Sequence, residues 1–281
     1  MKFFFIFIAV FGAWSATADD RLLIASGSYD PPHTGHMSFI TDVIQRFDFH
    51  NVAVSVGYPY KNNSSTPEQT LEFTYAAIEN LDYVLSARAI AFKDFKINGA
   101  GSVSWINPDG STVEVKVVDD ELRLGPQNAL KTFHSIQSTH GKTPLQTYYV
   151  VGADSLSNVN ARGHESIDEW FDSTHWLVST RQVGTQNLIA MESADPLKSV
   201  APQNIYEKYT FSSRKDDLVI YGREGKPSLV LFSPANLPDI SSSLIRTKIK
   251  ENQVGEILEF LQPRVREVLA RMYPECQELL K

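Results

Sequence analysis

Cysteine is almost missing from this sequence: Cys276 is the only one in 281 residues. No internal disulfide can form, which excludes the small secreted scaffolds that depend on such staples. A basic excess is missing as well. The formal net charge of -7 at pH 7 argues against a general nucleic-acid binder, which carries a basic face or stripe. Internal repeats and low-complexity tracts are absent, and there is one long apolar run. It lies in "MKFFFIFIAVFGAWSATADD", between the lone Lys2 and the small residues Ala16-Thr17-Ala18. From Phe3 to Trp14 it is shorter than the roughly 20 apolar residues of a membrane-spanning helix, and it has the make-up of a secretory signal cleaved after Ala18. Residues 1–18 are therefore expected to be a signal peptide, residues 19–281 the mature exported chain. A cytoplasmic chain keeping Met1 is the alternative.

What is present is a rhythm. The short apolar runs "RLLIAS", "NVAVSV", "ARAIAF", "TYYVVG", "HWLVST" and "SLVLFS" read as strands buried on both faces, with amphipathic stretches between them. Met37, Ile40, Val43, Ile44 and Phe47 recur at helical spacing between the first two. Thr66-Pro67-Glu68-Gln69 supplies an N-cap, a proline in the first turn and a capping box for a helix carrying Leu71, Tyr75, Ile78 and Leu81. Alternating strands and helices predict an α/β fold, a Rossmann-like parallel sheet flanked by helices, with a C-terminal helical part over 241–281 broken at Pro263 and Pro274. Residues 98–120 read as an inserted hairpin leaving the sheet, turned by Asn107-Pro108-Asp109-Gly110. Residues 181–228 read as a long surface segment.

The stretch "SGSYDPPHTGHMSFI" then sets two histidines at the mouth of the first helix. Gly27 and Ser28 end a strand where a ligand anion can approach backbone N–H groups. Pro31 and Pro32 stiffen the loop, and Gly35 lets the chain turn into the helix. His33 and His36 share one side of the first turn, where their rings and the helix N-terminus converge on a phosphate. Metal binding by these histidines with Asp30 is the competing reading. It lacks both the i, i+4 spacing of a zinc helix and a second ligand cluster, so no metal-ligating residues are assigned.

Two further motifs follow in order. "YYVVGADSL" is a buried strand ending at Gly152, with Asp154 at the carboxyl edge where open α/β sheets bind ligands; helix N-capping is the plainer role for such an aspartate. "ISSSLIRTKI" opens a helix on serines and sets Arg246 one turn beyond Ser242 and Ser243, within reach of a phosphate.

Together, "GSYDPPHTGH", the G-x-D element and the serine-arginine element resemble the nucleotidylyltransferase superfamily of H-x-G-H type. In form they are similar to the nicotinamide and nicotinate mononucleotide adenylyltransferases. That resemblance implies transfer of AMP from ATP, bound with Mg²⁺, to a pyridine mononucleotide, with pyrophosphate released. It implies catalytic roles for His33, His36 and Arg246, and nucleotide contacts from Gly27, Ser28, Lys61, Gly152, Asp154, Ser242 and Ser243. Ser243 stands where the family usually has threonine. The departures fall in the acceptor half, where "LGPQNAL" and "NVNARGHESIDEW" replace the usual threonine stretch and tryptophan, Trp170 coming too late to match. A different phosphorylated acceptor, or an exported nucleotide-binding module without turnover, are the alternatives.

Overall fold

The computed structural model describes residues 20–57, 65–124, 129–157, 167–180, 182–183, 186–187, 191, 193–234, 237–238, 240–278 and 280. Contacts divide the chain into two compact units, one of Ser26–Gln127 with Ala235–Lys281 and one of Met1–Ala25 with Asn128–Pro234. The expected signal peptide lies outside the described residues, as do Lys61, the centre of "LGPQNAL" and most of the stretch before Trp170. No described helix is long and apolar enough to cross a membrane.

The first unit carries the histidines. Strand β1 (Leu22–Gly27) enters it at its last two residues, and α1 (Thr34–Phe47) follows with Met37, Ile40, Val43, Ile44 and Phe47 all buried. Strand β2 (Asn51–Val56) leads to α2 (Pro67–Glu79), whose capping box is complete: Thr66 N–H donates to Gln69 Oε1 at 2.8 Å, and Gln69 N–H donates to Thr66 Oγ1 at 3.3 Å. The expected strand "ARAIAF" does not form. Leu81–Ala87 is helical, because Leu81, Val84 and Leu85 bury at helical spacing and alanine favours that state. The chain then turns through Ala89, whose φ is +55°, and Ile90 N–H bonds the Leu85 carbonyl.

Its place beside β2 is taken from the hairpin segment. Strands β3 (Lys93–Gly99), β4 (Ser102–Ile106) and β5 (Thr112–Val118) form an antiparallel meander, and β5 pairs in parallel with β2 from Asn51–Glu114 to Ser55–Val118. Residues 98–120 are thus part of the sheet rather than an excursion from it. Val113, Val115 and Val117 alternate inward while Thr112, Glu114 and Lys116 face out, the pattern of a half-buried strand. The turn uses the expected residues, Asp109 Oδ1 accepting from the Ser111 N–H at 2.9 Å with Gly110 at φ +91°.

The C-terminal part belongs to the same unit. A helix over Ser242–Lys250, here the serine helix, precedes a last helix over Pro263–Met272. Wholly buried Gln262 fastens the latter, its amide donating to the Ala77 and Asn80 carbonyls at 2.9 and 2.8 Å, the orphan acceptors at the end of α2. Arg264 adds an ion pair to Glu79 at 2.7 Å.

In the second unit β1 pairs in parallel with β6 (Thr147–Gly152), and β6 with β7 (His175–Ser179). A two-rung ladder, β8 (Gln182–Val183) with β9 (Gln186–Asn187), precedes β10 (Thr210–Lys215), β11 (Leu218–Arg223) and β12 (Lys226–Phe232). The last of these pairs in parallel with β7, and β10 to β12 form a meander. The reading of 181–228 as a surface segment is therefore corrected over Thr210 onward. Short turns at Asp216 (φ +51°) and Gly225 (φ +64°), and lysines and arginines on the outer faces, hid these strands. Parallel strands with covering helices make the chain α/β and Rossmann-like, as expected.

Candidate active site

At the mouth of α1, His33 occupies the N-cap position with extended backbone, and its side chain makes no capping bond. The helix is closed by backbone alone, His36 and Met37 N–H groups donating to the His33 carbonyl at 3.0 and 3.3 Å. Capping therefore does not explain either imidazole. The two rings stack instead, centroids 3.7 Å apart and planes 27° off parallel, with His33 buried at 2 % exposure and His36 half-buried. Tyr29 meets His36 edge-on, centroids 5.3 Å apart.

The motif glycines make room for these rings. A methyl on Gly35 would lie 2.9 Å from His33 Nδ1 and 3.2 Å from Ile240 Cγ2, and one on Gly27 would lie 3.0 Å from the Tyr29 ring. Gly27 thus has a different reason from the expected one: its open side is filled by Tyr29, and its carbonyl accepts the Gly57 N–H at 2.8 Å. Tyr29 reaches it through a left-handed backbone, φ +43°, that costs a non-glycine residue energy. Ser28, next in the chain, is exposed.

The serine helix is joined to this loop across more than 200 residues of sequence. Ser241 is its N-cap, the hydroxyl accepting from Leu244 N–H at 3.2 Å, so Ser242 and Ser243 are its first helical residues. Ser242 Oγ donates to the Pro31 carbonyl at 2.9 Å. Arg246 donates through Nη1 to the Asp30 carbonyl and through Nη2 to Ser243 Oγ at 3.2 Å, and its Nη1 stands 3.7 Å from the Asp30 carboxylate. The two imidazoles, the guanidinium and the serine hydroxyls thus form one constellation, with donors suited to phosphate oxygens. Sequence reasoning missed Tyr29 and Ile240 and gave Asp30 only a metal-binding role. The signal for Tyr29 was its adjacency to Gly27 at i+2.

Gly152 and Asp154 lie in the second unit. Asp154 is exposed and is the second residue of a short helix, Ala153–Ser157, rather than its cap. Its carboxylate folds back over Gly152, where a methyl would lie 2.4 Å from Asp154 Oδ1. Trp170 is buried at 3 % exposure among Phe133, Tyr149 and Trp176, with ring centroids 6.0, 6.0 and 5.0 Å away. Its face is spent on the core and is not available to stack on a ligand ring. The resemblance implies magnesium with ATP. Among the described residues no group of three or more His, Cys, Asp or Glu is placed to hold a metal ion, and Asp30 faces Arg246 from a wholly buried position. The described side chains thus offer no cluster that fits a protein-held cation.

Fold and constellation define a nucleotidyltransferase of the H-x-G-H class. The sequence model of the cytidylyltransferase-like family matches residues 24–248, and the chain belongs to that family. A probable nicotinate-nucleotide adenylyltransferase of Sulfurovum sp. (strain NBC37-1) is 24 % identical over 166 residues, 58 % of this chain and 69 % of the relative. Two solved structures of Plasmodium falciparum nicotinic acid mononucleotide adenylyltransferase, complexed with APC and with NaAD, are similar at a TM-score of 0.49 and 14 % identity. Each alignment covers 90 % of this chain and 95 % of the other.

Proposed function

We propose that this enzyme transfers AMP from ATP to the 5'-phosphate of nicotinate or nicotinamide mononucleotide, giving a pyridine dinucleotide and pyrophosphate. The observation that carries the reading is the joining of the histidine loop to the serine helix through Ser242, Arg246, Pro31 and Asp30. An acceptor phosphate oxygen bonds to the α-phosphorus of ATP as the bond to the bridging oxygen of pyrophosphate breaks. The attacking phosphate is already anionic, so no protein nucleophile is needed. The protein aligns the two phosphates and stabilises the charge gathering on the leaving group. Imidazoles stacked 3.7 Å apart offer N–H groups to neighbouring oxygens of one polyphosphate, and Arg246 offers its fork to the next. Asp154 and Gly152 are assigned to the nucleoside, Lys61 to phosphate. Magnesium would arrive as the ATP complex, and no step above runs through it.

The test is pyrophosphate release by the purified chain from ATP and Mg²⁺ with each pyridine mononucleotide, beside His36→Ala. We expect release that requires an acceptor and falls about 100-fold or more in the variant. No release with either acceptor, while ATP still binds, would refute the pyridine assignment. Export is part of the same reading, and N-terminal sequencing of the expressed protein should find Asp19 first; a chain retaining Met1 refutes it.

A further inference from the structure

We propose that Asp30 is a positioning residue that holds the Arg246 guanidinium in place for the phosphates of the nucleotide donor. The inference rests on the reading of Arg246 as a phosphate ligand given above. Asp30 is wholly buried, where a carboxylate is costly unless a cation answers it. An aspartate in a tight loop ordinarily serves the backbone, its oxygens accepting nearby N–H groups. Asp30 does not: neither carboxylate oxygen accepts a hydrogen bond among the described residues. What faces it is Arg246 Nη1 at 3.7 Å. The same residue's carbonyl accepts from that guanidinium, and Ser243 Oγ accepts from its other end at 3.2 Å.

These contacts fix the plane of the fork and leave further N–H groups of its five to point elsewhere. Asp30 is also three residues from His33, so it sets the guanidinium relative to the stacked imidazoles. A side chain held in its working geometry before the ligand arrives loses less freedom on binding, which appears as affinity. The carboxylate thus acts on the donor nucleotide through Arg246 without touching it.

The experiment is calorimetric titration of the full chain with MgATP in the absence of any acceptor, on the unaltered protein, Asp30→Asn, Arg246→Gln and the double variant. Each single substitution is expected to raise the ATP Kd about tenfold, and the double variant to bind no more weakly than Arg246→Gln alone. A purely structural Asp30 would give instead a loss that multiplies with that of Arg246→Gln. That result, or a folded Asp30→Asn with unaltered Kd, would overturn the proposal. If the asparagine variant does not fold, Asp30→Ser replaces it. If neither folds while Arg246→Gln melts like the unaltered chain, the carboxylate serves the loop and not the arginine, and the proposal fails. Turnover takes no part in the titration. An acceptor other than a pyridine mononucleotide would therefore sink the functional reading and leave this one standing, whereas an unaltered chain that binds no ATP removes both.

Discussion

Gly35→Ala separates stability from activity in this site. Gly35 does not lie in the left-handed region, so alanine is acceptable to the backbone, and in the first turn of α1 it would add up to about 1 kcal/mol of helix propensity. The difficulty is local. The new methyl would stand 2.9 Å from His33 Nδ1, 3.0 Å from its Cε1 and 3.2 Å from Ile240 Cγ2. His33 is buried, with His36 stacked against it at 3.7 Å, so its ring cannot swing into solvent and must push its neighbour. Overpacking of this kind costs about 1–3 kcal/mol, partly offset by the helix gain, and the net loss should stay below about 2 kcal/mol. The displaced imidazoles have a larger effect: a shift of about 1 Å at a phosphate-aligning group costs on the order of 100-fold in rate. The assay is pyrophosphate release with a pyridine mononucleotide, beside thermal unfolding of the same preparations. Gly99→Ala serves as control, since a methyl there meets nothing within 4 Å. A folded Gly35→Ala with unaltered kcat/KM would refute the claim that this glycine exists to seat His33.

The second unit allows two further tests. Gly152→Ala puts a methyl 2.4 Å from Asp154 Oδ1, the end of an exposed and movable side chain, so the melting temperature should hold while the KM for ATP rises about tenfold, as in Asp154→Ala. Equal KM values in all three proteins would remove Asp154 from the nucleotide site. His175 tests the fold: burial pushes its pKa down to about 4, and its Nδ1 accepts the Ser228 N–H at 2.9 Å, which leaves the proton on Nε2 facing the Leu145 carbonyl. The native state therefore holds the neutral ring while the unfolded chain takes up a proton near pH 6.5. Stability should fall by about 3 kcal/mol as pH drops from about 6.5 to 4, measured by urea unfolding. A His175→Gln variant that declines as steeply over that window would refute the assignment.

Five of the six apolar runs were legible as strands because parallel strands are buried on both faces and read as continuous hydrophobic stretches. The sixth, "ARAIAF", failed because a short alanine-rich run has no period of its own: Ala87 ends the helix before it, and Arg88 to Phe92 form the turn and connection that lead to β3. Strand β5 shows the opposite error. Its inward valines alternate with Glu114 and Lys116, which marked a hairpin correctly but hid that one edge of that hairpin supplies the parallel partner of β2. Pairing between strands about 60 residues apart in the chain is a tertiary choice, and local pattern carries no sign of it.

The site was legible in its residue types and opaque in its reasons. In the sequence Gly27 marks a place where an anion can approach the backbone, Gly35 a turn into the helix, and Gly152 the end of a buried strand. In each case the space of the missing side chain is taken by a residue two positions away: the Tyr29 ring, the His33 imidazole and the Asp154 carboxylate. These i to i+2 contacts fall in loops and at element ends, where no run of alternating apolar residues accompanies them, so hydrophobic periodicity gives no sign of them. They do follow from the chemistry. A side chain that must present a ring or a carboxylate beside the backbone needs a bare Cα to lie against, and the residue two away in a tight turn is the one that provides it. On that argument the spacing G-x-Y, H-x-G and G-x-D is itself the signal, each glycine reporting the side chain it seats. The three motifs mark an aromatic rest for His36, a socket for His33 and a saddle for Asp154.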